Sequence, residues 1–232
     1  MGFGAGANAA GAVTQSGAAV ISRGILVGAA MLLASSGPGL ACQGKSDPAL
    51  DDNFSKPDPG WPTADNVTAT PRGLVIKPPA NGSTWAVNTN FTMDGADLCV
   101  TVALPAAMPT PANEETVGDV GVIFWKRDND NYYMTAISPD GVATVSRYVG
   151  EQWATIVNPI RAAAIKTGPG AVNEIEITVR GNAATLYVND AKITDFRGQA
   201  PPGGGPPGVY AESGPAVTTW VFSRVQIYSL PQ

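Results

Sequence analysis

Two acidic side chains, Glu174 and Glu176, could do chemistry together because they lie two positions apart in a segment that alternates polar and apolar residues. Such alternation predicts a β-strand, and residues two apart in a strand project from one face about 7 Å apart. Two carboxylates about 5–10 Å apart are the pair that glycoside hydrolysis uses. Acidic residues are usually exposed, so a solvated strand face is the favoured interpretation. Glu212 is a third acidic candidate.

Aromatic side chains are the second group of candidates. Flat apolar rings can stack against the C–H faces of sugars while polar groups nearby fix the orientation. If Phe124 lies in the core, alternation places Trp125 on the outer face of its sheet. The alternative is that most of the rings belong to the core, which is the commoner position of tryptophan in a sandwich. The candidate ligand-binding residues are Trp85, Trp125, Arg127, Tyr133, Arg147 and Trp153.

The sequence contains no histidine, which excludes several kinds of site. Ser-His-Asp and Cys-His catalysis need an imidazole, and so do His-ligated zinc and haem sites. Any general acid or base must therefore be Asp, Glu, Lys or Tyr. Two cysteines are too few for a structural zinc site, and the acidic turn at residues 128–131 lacks the spacing of an EF-hand. We expect no metal and no cofactor.

Charge and composition limit the class of partner. The formal net charge of the 232 residues is −5, and no basic patch is visible. A nucleic-acid partner is therefore not expected. The 27 glycines and 20 prolines fall at intervals along the chain, which favours frequent turns.

The first 41 residues have the pattern of a secretory signal peptide. Arg23 precedes an apolar run at residues 25–34, and small residues follow up to Ala41. The run is short for a bilayer, which takes roughly 20 residues, so an uncleaved membrane anchor is the less favoured alternative. We expect cleavage near Ala41 and a periplasmic or secreted bacterial protein.

The two cysteines, Cys42 and Cys99, allow two interpretations. In an exported protein they most simply form one disulfide. The residues before Cys42 also resemble a bacterial lipoprotein cleavage site, although Gly39 stands where leucine is usual. Lipidation of Cys42 would attach the protein to a membrane, and it excludes the disulfide because both use the same sulfur.

Turn residues divide the rest of the chain into about a dozen short strands. The clearest are residues 121–125, 132–137 and 142–149, which predict an antiparallel meander joined by tight turns. No convincing amphipathic helix and no internal repeat is present. The sequence predicts an all-β protein, a two-sheet antiparallel jelly-roll sandwich at residues 51–230, with a polar linker at 42–50.

Several of these segments resemble the concanavalin A-like lectin/glucanase fold, and within it the domain family called 3-keto-disaccharide hydrolase or 3-keto-glucoside lyase/hydratase. The matching segments are residues 121–124, 130–133, 173–181, 187–190 and 208–227. Val172 replaces the tryptophan of that pattern, and the turn that usually reads Val-Asn-Gly ends in Asp190. The resemblance covers roughly residues 51–228, and folds of this kind host many functions.

The resemblance and the aromatic residues together give three hypotheses of function. The first is an exported, non-catalytic domain that binds a glycan or oligosaccharide. The second, which the resemblance implies, is a glycoside hydrolase or a lyase acting on 3-keto-glycosides, with Glu174, Glu176 and Glu212 as its candidate acids. The third is a structural protein of the cell envelope that binds other proteins.

Overall fold

The computed structural model describes residues 42, 45 and 47–230. The predicted signal peptide, residues 1–41, lies outside the described residues. Among the described residues, no helix has the length and apolar character that crossing a bilayer requires.

The described residues form fourteen β-strands and one short helix. The first seven strands are β1 (Leu50–Asp52), β2 (Val67–Thr70), β3 (Gly73–Ile76), β4 (Ser83–Val87), β5 (Ala96–Ala103), β6 (Val120–Asp128) and β7 (Asn131–Ile137). The others are β8 (Val142–Val149), β9 (Gln152–Arg161), β10 (Val172–Arg180), β11 (Ala183–Val188), β12 (Ala191–Arg197), β13 (Gly208–Glu212) and β14 (Trp220–Ser229). Helix α1 (Glu114–Val117) lies between β5 and β6.

The strands form two antiparallel sheets. The eight-stranded sheet has the order β12-β11-β10-β5-β14-β3-β2, with β1 paired to β14. The six-stranded sheet has the order β4-β13-β6-β7-β8-β9. Strands β6, β7 and β8 are neighbours in space as well as in sequence, which confirms the predicted meander, and β9 extends it. The predicted all-β, two-sheet jelly-roll sandwich is confirmed.

The hydrophobic core lies between the two sheets, and alternation along the strands builds most of it. On β6, Val120, Val122 and Phe124 are fully buried, and on β10 the same holds for Ile175 and Ile177. Each such side chain contributes about 1.5–3 kcal/mol by leaving water. The intervening residues of each strand form the outer face of its sheet, and the two outer faces differ in chemistry.

The outer face of the eight-stranded sheet carries the predicted disulfide, which is confirmed. Cys42 is bonded to Cys99 of β5 across a separation of 57 residues. A closed loop of that size stabilises the fold by about 4 kcal/mol in the chain-entropy model. The disulfide holds Lys45 against the sheet. The Nζ atom of Lys45 lies 2.7 Å from the carboxylates of both Asp97 and Glu176.

Candidate functional site

The outer face of the six-stranded sheet carries a group of aromatic rings, which we call the aromatic floor. Trp153 of β9 lies at its centre, with its ring centroid 5.0 Å from Tyr148, 5.8 Å from Tyr132 and 6.2 Å from Tyr210. Trp85 of β4 extends the floor next to Tyr210. Five aromatic side chains on one outer face form a broad apolar surface.

Strand register explains why these rings meet. Tyr132, Tyr148 and Trp153 are direct cross-strand partners on β7, β8 and β9, and Tyr210 is the partner of Trp85 on β13 and β4. Opposite residues on one face of an antiparallel pair are about 4.5–5.5 Å apart at Cβ, so large rings there must touch. The floor therefore follows from the alternation of residues along five strands and their register.

The rings differ in how far they reach solvent. Tyr132 and Tyr210 are buried, while the side chains of Trp85 and Tyr148 are half-buried. Trp153 is 47% exposed, although tryptophan is usually well buried. Burial raises the pKa of the Tyr132 hydroxyl to about 12, so this hydroxyl keeps its proton at physiological pH. Trp153 is thus the ring that a ligand can cover.

Three acidic residues lie at one end of the aromatic floor, around a cleft of about 290 Å³ that we call the acidic cleft. Its acids are Glu114, Asp119 and Glu212, and Trp153 forms part of its wall. The hydroxyls of Ser146, Thr144 and Thr155 complete the polar lining. A ligand that stacks on Trp153 would therefore reach carboxyl groups at one end.

A short helix and a glycine position these acids. Asn113 caps helix α1: its side chain accepts a hydrogen bond from the Thr116 backbone N–H, and the Thr116 hydroxyl accepts one from the Asn113 backbone N–H. Gly118 then turns the chain with a φ of 93°, and a Cβ there would lie 2.4 Å from the Glu212 carbonyl oxygen. Only glycine allows so close an approach, which brings β13 beside Asp119.

Asp119 is the most unusual of the three acids. It is only 6% exposed, yet its Oδ1 atom has no hydrogen-bond partner among the described residues. Burial raises the pKa of its carboxyl group well above the usual range, and the negative charges of Glu114, Glu212 and Asp140 raise it further. Buried carboxyl groups without a partner are costly, and such groups cluster at functional sites.

Glu212 has a raised pKa for a similar reason. Burial is the largest cause, a hydrogen bond from the Tyr210 hydroxyl opposes it, and the charge of Glu114 adds to it. Burial together with Glu212 also raises the pKa of Tyr210. The aromatic floor and the acidic cleft are therefore joined by a direct hydrogen bond.

We expect Asp119→Asn to stabilise the protein at neutral to mildly alkaline pH by about 1–3 kcal/mol, since it removes a buried charge that lacks a partner. The folded-state pKa of Asp119 is raised, so the wild type loses stability as the pH rises through that pKa, and the variant does not. Urea unfolding at several pH values measures the difference. Asp130→Asn, which changes an exposed acid, is the control and should leave the profile unchanged. An equal dependence of the unfolding free energy on pH in the wild type and in Asp119→Asn would contradict this account.

The structure divides the predicted ligand-binding residues between two places. Trp85 and Trp153 lie on the aromatic floor. Trp125 does not: the prediction that it lies on the outer face is wrong, because it is 3% exposed and packs in the core. A β-bulge is the cause. Pairing of β6 with β7 shifts between Phe124 and Asp128, and Trp125 has a φ of 46°, so its ring turns inward beside Phe124.

Tyr133 is likewise a core residue, not an outer-face one, and it packs edge-on against Trp125 at 5.1 Å. Arg127 and Arg147 do approach these rings, with the Arg147 guanidinium 5.3 Å from the Tyr133 centroid. The four predicted residues thus line one small cleft of about 130 Å³. Gly198 covers it closely, because a Cβ there would lie 2.5 Å from the Trp125 ring. Little of either ring is left for a ligand.

The predicted acid pair lies on the opposite side of the molecule. Glu174 and Glu176 project from the outer face of the eight-stranded sheet, since Ile175 and Ile177 between and after them are in the core. The interpretation as a solvated face is wrong for Glu176, which is 2% exposed and paired with Lys45. Burial raises the pKa of Glu176, and Lys45 opposes that shift. Glu212 is the predicted acid that the structure places near the aromatic floor.

Sequence reasoning missed three rings of this site and two of its acids, Glu114 and Asp119. Tyr132, Tyr148 and Tyr210 alternate with core residues on their strands, and that alternation is the signal that could have found them. Asp119 directly precedes β6, two residues before the predicted strand at 121–125, and alternation places it on the outer face. Nothing in the neighbouring residues indicates that it is buried.

Comparisons with known proteins agree on the fold. No protein-family model and no curated protein matches the sequence. Among solved structures, carbohydrate-binding module CBM66 from Bacillus subtilis matches with a TM-score of 0.58 and 14% identity over 73% of this chain and 96% of that one. Bacillus licheniformis beta-glucanase matches with a TM-score of 0.56 and 13% identity, over 80% of this chain and 100% of that one. The VIP36 exoplasmic/lumenal domain in its Ca²⁺/Man-bound form matches with a TM-score of 0.59 and 11% identity, over 75% of this chain and 85% of that one.

The chain has the jelly-roll fold of these three proteins. The predicted resemblance to the concanavalin A-like fold is confirmed at this level. Membership of the 3-keto-disaccharide hydrolase family stays a prediction, since no family model matches. Identities of 11–14% show the fold and leave the activity open.

Proposed function

We propose that this protein binds a carbohydrate chain on the aromatic floor, with Trp153 as the principal stacking surface. The observation that carries the proposal is the 47% exposure of Trp153 at the centre of a group of four further rings. An exposed aromatic platform with polar groups at its edge has the chemistry that sugars need: an apolar face for their C–H groups and acceptors for their hydroxyls.

The polar groups beside Trp153 suit a sugar. Ser146 and Thr144 offer hydroxyls on β8, and Glu212 and Asp119 offer carboxyl oxygens at one end. The unpartnered Oδ1 of Asp119 would gain a hydrogen bond from a ligand donor, which offsets part of the cost of its burial. Two proteins of similar fold are, by name, a carbohydrate-binding module and a beta-glucanase, which supports a carbohydrate as the ligand class.

Export belongs to the same proposal. Residues 1–41 would be removed as a signal peptide, and the disulfide between Cys42 and Cys99 suits an oxidising compartment. The mature protein would start at or near Cys42 and meet its glycan in the periplasm or outside the cell.

Calorimetric titration of the mature protein against neutral oligosaccharides of several linkages tests the proposal. We expect saturable binding of at least one of them, and we expect that ligand to quench or shift the fluorescence of the exposed tryptophan, Trp153. Absence of binding to every glycan of a broad array would contradict it. Recovery of a protein partner with no glycan bound would favour the structural envelope role instead.

A glycoside hydrolase or lyase is the second candidate, and the raised pKa values of Asp119 and Glu212 favour it. A raised pKa brings a carboxyl group closer to the proton affinity that a general acid needs. Release of reducing sugar that Glu212→Gln or Asp119→Asn abolishes would support this function. Glu174→Gln is the matched control, because that residue is only half-buried and lies on the opposite sheet. Oligosaccharides recovered intact after long incubation would contradict it.

A further inference from the structure

The acidic cleft has an unbalanced charge. It is lined by Glu114, Asp119 and Glu212, and no Lys or Arg is among its described lining residues. The charges that act on Asp119 from Glu114, Glu212 and Asp140 are all negative. Carboxylates held close together repel one another, and a cation bound between them removes that repulsion.

The basic residues of this sheet do not line the cleft. Arg161, at the end of β9, is paired with Asp140 at 2.9 Å. Lys126 lies near the end of β6, whereas Asp119 directly precedes its start, so roughly 20 Å of strand separates them. The Lys126 ammonium is already engaged, 4.8 Å from the Trp85 ring centroid and 2.8 Å from the Asn129 side-chain oxygen. The acids therefore receive no compensation from this residue.

A buried acceptor in the cleft is also unsatisfied. Asp119 is 94% buried, lines the cleft, and has an Oδ1 atom without a partner. A neutral hydroxyl could donate to that oxygen, but an ammonium group would donate and also neutralise the surrounding charge. The Trp153 ring in the same wall would add a cation–π attraction.

We propose that the acidic cleft selects a positively charged amino-sugar unit, so that the preferred ligand is an oligosaccharide with free amino groups. The sugar ring stacks on Trp153, and its ammonium group donates hydrogen bonds to the carboxylates of Asp119 and Glu212. This inference rests on the proposed function, because the aromatic floor must first bind a sugar chain. It adds the chemical class of the ligand and the residues that recognise it.

The test compares three oligosaccharides of one length and one linkage by calorimetry at pH values from mildly acidic to mildly alkaline, so that the amine and the two carboxyl groups are both charged over part of the range. They are a glucosamine oligomer, its N-acetylated counterpart and the corresponding glucose oligomer. They differ only in the group at one carbon. We expect the glucosamine oligomer to bind about tenfold more tightly than either neutral oligomer, and we expect added salt to reduce that advantage.

Matched variants locate the effect. Asp119→Asn and Glu212→Gln should remove the preference, so that each variant binds the glucosamine oligomer no more tightly than it binds the neutral oligomers. Asp130→Asn removes one negative charge from an exposed turn outside the cleft and should keep the preference. Thermal unfolding of each variant checks that the fold is intact.

Each other outcome overturns the inference in a distinguishable way. Neutral oligomers that bind as tightly as the charged one would refute the amino-sugar selection and leave the proposed function standing. No binding of any of the three oligomers to the wild type, together with none on the array, would refute both. A preference that survives Asp119→Asn combined with Glu212→Gln would place the recognition elsewhere. Displacement of the glucosamine oligomer by calcium chloride at equal ionic strength, but not by sodium chloride, would show a metal site instead.

Discussion

Replacement of Trp153 by alanine is expected to weaken oligosaccharide binding roughly thirtyfold, which corresponds to about 2 kcal/mol of lost stacking. The ring is 47% exposed at the centre of the aromatic floor, so a bound sugar would cover it. Because the Trp153 ring is already half exposed, the free energy of unfolding should fall much less than it does after a large-to-small substitution in the core. Calorimetric titration measures the affinity, and thermal unfolding checks the fold.

Two further variants make that experiment specific. Trp153→Phe keeps a smaller ring and should lose less affinity than Trp153→Ala. Tyr187→Ala removes a half-buried aromatic side chain from the outer face of the opposite sheet and should leave binding unchanged. Equal losses for Trp153→Ala and Tyr187→Ala would mean that the effect is not local to the aromatic floor.

Replacement of Lys45 by methionine is expected to destabilise the fold by about 3 kcal/mol. Its ammonium group lies between Asp97 and Glu176, which are 2% exposed each, and its loss leaves both carboxyl groups buried without their cation. Removal of one partner from a buried ion pair typically costs about 3–5 kcal/mol, and the partial exposure of Lys45 favours the lower end of that range.

The loss should depend on pH. Burial already raises the pKa of Glu176, and removal of Lys45 raises it further. A carboxyl group whose pKa is higher in the folded state binds its proton there first, so the stability deficit shrinks as the pH falls below the folded-state pKa. Urea unfolding across that range measures it. Lys192→Met, which removes an exposed ion pair with Asp195, should give no measurable change. A similar result for the two variants would contradict the structural role of Lys45.

The fold could be predicted because its signals are local. Alternation of period two places Leu98, Val100 and Val102 on one face of β5 and Cys99 on the other, and the structure has this arrangement. Turn residues separate the strands at short intervals, so their number and antiparallel pairing follow from the chain itself. The disulfide could be predicted because Cys99 faces outward and Cys42 can reach it.

The candidate site could be predicted only in part because it depends on exceptions to alternation. Two extra residues in β6 form a bulge that turns Trp125 into the core, and nothing in its neighbouring residues indicates that bulge. Asp119 is buried in a cleft that it shares with Glu114, and helix α1, which carries Glu114, is not indicated by the sequence. Glu176 is buried because a distant residue, Lys45, lies over it. Each of these outcomes comes from long-range packing, which single-sequence patterns do not contain.

The most direct measurement uses the five tryptophans of the chain, each of which gives one indole N–H signal in a nitrogen–proton NMR spectrum. During titration with a bound oligosaccharide, the account predicts a large shift of the Trp153 signal and a smaller one for Trp85, with Trp61 and Trp125 unchanged because they are buried away from the aromatic floor. A shift of the Trp125 signal while the Trp153 signal stays fixed would contradict the account, since the glycan would then occupy the small cleft beside Arg147.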